Sequence, residues 1–174
     1  QEDTDAHQKI WVYYANLIPA EHRSDLTQFI IFTDGHDEVM AAVEQDYNDP
    51  EKWVLAVDIV DAGNPQELTY TLIHEFGHLL TLNASQVEPD EDIFKDPEND
   101  DLYEDAMAAC PQYFPGEGCS APTSYINLYF QRFWAEIHDE WDEINYIDDH
   151  DEYYDALDAF YYQYQDQFVT DYAA

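Results

Sequence analysis

The sequence predicts an α+β fold: a small, mainly antiparallel sheet with backing helices, followed by a helical C-terminal half. Three observations predict it. Three strand-length runs rich in aliphatic and aromatic residues, Leu26 to Thr33, Val39 to Gln45 and Trp53 to Val60, are separated by turn signals. Apolar residues at helical spacing precede and follow these runs. Finally, 45% of the 174 residues are hydrophobic and 16% aromatic, so a packed core is feasible in spite of the charge.

The elements follow in order. Residues 5 to 18 carry Ile10, Trp11, Tyr14, Leu17 and Ile18 at helical spacing, and Pro19 ends the run. Leu26 to Thr33 is short, β-branched and aromatic, hence a strand. Asp34-Gly35 turns the chain. Val39 to Gln45 reads as a second strand, and Tyr47-Asn48-Asp49-Pro50 as another turn. Trp53 to Val60 is the clearest strand, with Asp58 either a buried polar group or an edge residue. Short turns between successive strands imply mostly antiparallel pairing.

A helix is expected over residues 65–83. Asn64 suits the N-cap, Pro65 the first helical position and Glu67 the third, as in a capping box. Leu68, Leu72, Phe76, Leu79 and Leu80 follow a helical period, and Asn83 is a stop. Gly77 is costly inside a helix and implies a close neighbour, either another helix or a metal site.

Residues 84 to 100 are acidic and Pro-punctuated, a loop on the same side as the end of that helix. Leu102 to Ala109 reads as a short helix. Cys110 and Cys119 bracket a segment with two prolines and two glycines. A local disulfide is the natural reading, and it points to an oxidising compartment: a secreted or cell-surface protein. Ser124 to Trp141 reads as one long helix with a wide apolar face. Asp148 to Glu152 reads as a turn and helix start, and Tyr153 to Phe168 as a Tyr-rich helix. One domain over 1–174 is expected, with a sheet-containing subdomain 1–83 and an acidic, disulfide-bearing and helical part 84–174.

Charge narrows the partners. Five Lys+Arg against 40 Asp+Glu give a net charge of −35, which repels nucleic acid and anionic membrane. No run of 18 apolar residues offers a membrane span. A solvated acidic coat is the favoured reading, over a cationic substrate or bound calcium. The alternating acids of 88–101 are the oxygen donors that calcium takes, although no complete EF-hand loop is present. The chain opens on Gln1 rather than Met and without a signal peptide, as a processed mature chain or a fragment would.

The chemistry lies in His74-Glu75-Phe76-Gly77-His78. Residues four apart on a helix share a face, so His74 and His78 are expected to bind one zinc ion through neutral imidazoles. Glu75 is placed beside them as general base toward the attacking water. A third ligand must come from elsewhere, and a fourth position must stay open. Among internal carboxylates, Glu104 and Asp105 are candidates, as are Glu136, Glu140, Glu143 and Glu152; the sequence does not rank them.

This motif and its surroundings resemble the zincin metallopeptidases, and the helix-sheet-helix first half is similar to their N-terminal subdomain. Thr81 and Ala84 stand where the long metzincin pattern has Gly and a third His, so the resemblance is to the Glu-liganded type. The final residues, Phe168 to Ala174, are similar to the lethal factor-like branch, in which a Tyr precedes the ligand Glu by two helical turns. The resemblance implies that Tyr172 is a catalytic phenol stabilising the oxyanion. It also implies that the third ligand is a Glu just past residue 174, so that the catalytic domain is cut short here. The implied activity is hydrolysis of a peptide or protein substrate by one zinc ion, with an extended substrate pairing on the edge of Trp53 to Val60 or Val39 to Gln45. The alternatives are an inactive zincin scaffold with a binding or surface-structural role, and a zinc-dependent amidase or other non-peptide hydrolase.

Overall fold

The computed structural model describes residues 4–35, 39–60 and 63–168. The fold is α+β. Helix α1 (Thr4–Leu17) leads into strands β1 (Leu26–Phe32), β2 (Ala41–Asp46) and β3 (Asp49–Asp58), then helix α2 (Pro65–Leu82). A short strand β4 (Val87–Pro89), helices α3 (Glu91–Lys95) and α4 (Asp100–Ala109), and strand β5 (Gly118–Ser120) follow. The remaining helices are α5 (Tyr125–Tyr129), α6 (His138–Asn145) and α7 (His150–Tyr164).

The three-stranded sheet has the order β1-β3-β2 and is mixed rather than mainly antiparallel. β2 and β3 form an antiparallel hairpin across Tyr47-Asn48, with Val43 opposite Leu55 and Ala41 opposite Val57. β1 runs parallel to β3, Phe29 opposite Leu55 and Ile31 opposite Val57. The physical reason lies in the connections. The tight turn forces β3 back along β2. The longer connection after β1 lets β2 pass over one strand position, and β3 fills the gap parallel to β1. β3 is therefore central, and the expectation that Trp53 to Val60 offers a free edge is corrected: β2 is the antiparallel edge.

The core lies on one face of this sheet. Tyr14, Leu55, Leu72 and Val57 are fully buried, together with Ile10, Ile18 and Leu68, so α1 and α2 pack on the same side. Phe29, Ile31, Ala41 and Val43 complete the layer from β1 and β2. Full burial of a Leu or Tyr side chain stabilises by roughly 2 kcal/mol or more each.

Two buried aspartates pin the ends of the sheet. Asp58, fully buried, accepts from the Asp34 N–H at 2.8 Å and the Val60 N–H at 2.5 Å, holding the loops that leave β1 and β3. Asp46 ends β2. It accepts from Thr27 Oγ1 at 2.5 Å, the Asn48 N–H at 2.9 Å and Gln28 Nε2 at 3.3 Å. It thus ties the hairpin to the irregular start of β1, where register shifts between Leu26 and Gln28.

The stretch expected as a plain loop, 84–100, holds β4 and α3. β4 pairs antiparallel with β5, Glu88 opposite Cys119 and Pro89 opposite Gly118. A side chain at Gly118 would run into the Glu88 carbonyl, so the close approach of these strands requires glycine there. The disulfide is present: Cys110 and Cys119 are bonded, Cα atoms 5.4 Å apart, tying the end of α4 to β5.

The chain divides into two compact units, Gln1–Ile126 and Asn127–Ala174. The division falls at 126 rather than at 83, so the acidic and disulfide segments belong with the sheet. The expected continuous helix over Ser124 to Trp141 is broken. A π-helical turn over Phe130–Trp134, closed by the Ala135 N–H on the Phe130 carbonyl at 2.9 Å, continues α5, and a turn at 135–137 separates it from α6. The extra residue in that turn rotates the buried face. Leu128, Tyr129 and Phe133 are left exposed, whereas Ile137 and Ile144 are buried with Phe160 of α7. The wide apolar face in the sequence is two narrower faces in succession. Asp149 caps α7 as expected, accepting from the N–H groups of Asp151 and Glu152. Among the described residues, no helix is long and apolar enough to cross a membrane.

The Asp46 contacts generate a pH prediction. Its carboxyl is held down to about 2, chiefly by the Thr27 hydroxyl and then the Asn48 N–H, from an ordinary 3.8. Stabilisation by ionised Asp46 is complete above the ordinary carboxylate range and is lost as pH falls toward about 2. Urea unfolding of wild type and Asp46→Asn should show a stability gap that is largest at neutral pH and narrows on acidification. A gap that widens in acid would contradict this role.

Candidate functional site

α2 begins as the sequence predicts. Asn64 caps it, its Oδ1 accepting from the Gln66 N–H at 3.2 Å and the Glu67 N–H at 3.5 Å, with Pro65 at the first position. Four of its residues are buried: Leu68, Leu72, Glu75 and Leu79. They are spaced three and four apart and form one stripe. Leu68 and Leu72 belong to the core on the sheet, and Phe76, partly buried, packs against that core beside them as its helical period predicts; Leu80 is 38% exposed.

That stripe sets the rotation of the helix. Each residue turns the helix by about 100°. With Glu75 facing inward, His74 and His78 emerge together on the exposed flank. Their Nε2 atoms lie 3.0 Å apart, and the rings meet edge to face with centroids 4.7 Å apart. Two imidazoles holding one tetrahedral zinc ion by bonds of roughly 2.0–2.1 Å place their nitrogens about 3.3 Å apart. The observed separation is near that value, and it is also the length of a hydrogen bond between the two rings. His78 is shifted below the ordinary imidazole range, first by partial desolvation of its ring nitrogens, although the residue as a whole is exposed, and then by the neighbouring His74 charge; both favour the neutral form.

Glu75 occupies what would otherwise be a hydrophobic position. It is 7% exposed, and burial raises its carboxyl above the ordinary range. The His74 charge and a backbone hydrogen bond from Val43 pull in the opposite direction. Val43 lies on β2, the sheet edge against which α2 packs. The Asp58 N–H bonds the Met40 carbonyl, so the alternation of an antiparallel ladder turns the main-chain groups of Ala41, Val43 and Gln45 outward. The Val43 N–H meets Glu75 there.

The other sequence candidates are scattered. Glu104 and Asp105 are exposed on α4. Glu136, Glu140, Glu143 and Glu152 are exposed in the second unit, where Glu140 accepts from the Tyr164 hydroxyl at 2.6 Å. Tyr172 lies outside the described residues. Among the described residues, no three His, Cys, Asp or Glu side chains group to hold a metal. Several acids of the segment considered for calcium have structural partners: Asp90 caps α3, Glu91 pairs with Lys95 at 2.9 Å, and Asp96 accepts from Asn99 at 3.0 Å.

Burial of Glu75 and its Val43 contact were not anticipated from the sequence. The signal was present in the spacing 68, 72, 75, 79, which passes through the glutamate. The expected close neighbour of Gly77 is also corrected: a Cβ built there meets nothing within 4 Å among the described residues. Gly77→Ala should therefore raise stability by about 0.8–1.0 kcal/mol, as the helix preference for alanine is expressed without a clash. Urea unfolding measures this, and a loss of stability would reveal a neighbour at that surface.

In comparisons with protein-family models, with curated proteins and with solved structures, nothing matches this chain.

Proposed function

We propose that this chain is a zinc-dependent metallopeptidase acting outside the cell, with His74 and His78 as two metal ligands and Glu75 as general base. The observation that carries the reading is the 3.0 Å approach of the two Nε2 atoms one helical turn apart, with the intervening glutamate buried beside them. A surface histidine pair on a structural helix would not call for a carboxylate in the packing stripe. The third ligand, in this reading, is a carboxylate supplied from outside the described residues. A zinc ion bound there supplies Lewis acidity, which acidifies a water and polarises a carbonyl.

The chain's own residues carry the rest. Glu75 takes the proton from the attacking water and passes it to the leaving amine. Its burial suits that work, because a carboxylate less stable as an anion is a stronger base. Apart from the Val43 N–H held by Glu75, the outward main-chain groups of β2 give an extended peptide a strand to pair with. Tyr172 is proposed as an oxyanion donor on the resemblance alone. The disulfide supports an oxidising compartment.

Glu75→Gln should bind zinc as wild type does and lose hydrolysis of a mixed peptide library by a factor of roughly 100 or more. Metal content by mass spectrometry and chelator-sensitive cleavage read the two effects separately. Undiminished turnover in that variant would refute the assignment. Absence of any chelator-sensitive cleavage by wild type would favour the inactive-scaffold alternative.

A further inference from the structure

α1 and α2 lie side by side on the sheet, and the Tyr13 hydroxyl meets Thr69 Oγ1 at 2.6 Å where the two helices touch at the surface. Ile10 and Tyr14 of α1 and Leu68 and Leu72 of α2 are turned to the core. The outer side of the pair nevertheless carries large apolar side chains. Val12 is 47% exposed, Tyr70 64% and Ile73 49%, with Tyr13 beside them. On α1, Val12 and Tyr13 line a shallow depression of about 450 Å3 together with Asp5, Gln8, Lys9 and Asn16. A contiguous exposed apolar surface of this kind marks an interaction site, whereas scattered single residues do not.

The distribution of acids sets this side apart. Forty of the 174 residues are Asp or Glu, close to one in four. Yet residues 6–20 contain none, and residues 68–87 contain only Glu75, which is buried. Asp5 and Glu67, in the first turns of the two helices, stand at the margin. Elsewhere the solvated coat accepts carboxylates freely. Their exclusion here therefore speaks for the charge of whatever covers these helices. A basic partner gains from carboxylates in the surface it binds; only an acidic partner gains from their absence. A second copy of this chain, with its own net charge of −35, is such a partner.

The size of the face agrees. Helices of 14 and 18 residues are about 21 and 27 Å long, and each is about 10 Å wide. Together they present about 500 Å2 in projection, and two such faces reach the roughly 1,000 Å2 that a specific interface needs.

We propose that the outer side of α1 and α2 is a two-fold interface between two copies of this chain, with Val12, Tyr13, Tyr70 and Ile73 at its centre. The same surface on both copies supplies the contact, so apolar residues meet apolar residues while the two acidic coats stay apart. The interface goes beyond the peptidase reading and stands or falls independently of it.

Sedimentation velocity on the full chain tests this, with a chelator present so that no metal bridges the histidine pairs of two copies. Wild type should sediment as a dimer at about 100 μM chain in about 0.15 M salt. It should dissociate at about 0.01 M salt, where the screening length grows to about 30 Å and the acidic coats repel one another. Ile73→Glu and, separately, Val12→Glu should each weaken association at least about tenfold, because the two-fold axis brings two new carboxylates into one interface. Both positions are exposed, so the fold is retained, which circular dichroism checks. Leu128→Glu, at an apolar position 53% exposed in the second unit, should leave the dimer unchanged. A monomeric wild type at that concentration, association that tightens at low salt, a dimer that persists in both α1 and α2 variants, or equal loss in Leu128→Glu would overturn the proposal.

Discussion

The rotation of α2 is the constraint on which the rest of the site depends. Leu68 and Leu72 bury against the sheet with Phe76 packed beside them, and Glu75 is carried down because it lies in the same stripe. No separate device is needed to bring His74 and His78 together. Once the leucine stripe is seated, helical geometry presents both rings on the exposed flank, one turn apart. A carboxylate in a packing stripe is unfavourable unless it finds a donor, and the outward Val43 N–H supplies one. The hydrophobic contact that builds the fold and the hydrogen bond that holds the glutamate are thus made by the same helix on the same strand.

The sheet order makes that hydrogen bond available. If β3 had been the edge, its outward groups would have faced elsewhere and the Val43 N–H would have been spent in the ladder. The hairpin across Tyr47-Asn48 and the parallel pairing of β1 with β3 place β2 at the edge beside α2. Asp46 and Asp58 hold this arrangement at its two ends. Asp58 accepts from N–H groups of the loops, and Asp46 from N–H and O–H donors of the turn and the strand start, so the register of the sheet and the positions of its connections are coupled.

An excess of 35 negative charges constrains how acids can be buried. With only five Lys and Arg, buried carboxylates cannot generally be neutralised by ion pairs. The Lys52–Asp25 and Lys95–Glu91 pairs lie on the surface, where such pairs contribute little. Asp46, Asp58 and Glu75 instead accept from backbone N–H groups, and Asp46 from a hydroxyl as well. Glu117 and Asp34 are the contrast, since one oxygen of each is buried without such a donor. Other acids cap helices, as Asp90 and Asp149 do. The low basic content therefore shapes the interior as much as the surface.

Local signals were legible in the amino-acid sequence. Asn64-Pro65 marked the start of α2, Asp149 the start of α7, the paired cysteines the local bridge, and three β-branched runs the three strands. Each depends on residues within a few positions of one another, which the chain itself places. The spacing of His74, Glu75 and His78 likewise determined that a helix there would juxtapose two imidazoles. The tertiary structure decided what depends on distant partners. It inserted β3 between β1 and β2, ended the helix after a π-helical turn at Trp134, and left Gly77 without the neighbour expected of it among the described residues. It also buried Glu75 alongside the expected leucines and Phe76, because the sheet surface, not the helix alone, sets how wide a face is buried. Strand order and helix rotation are settled by burial across long sequence separations, and no local pattern encodes them.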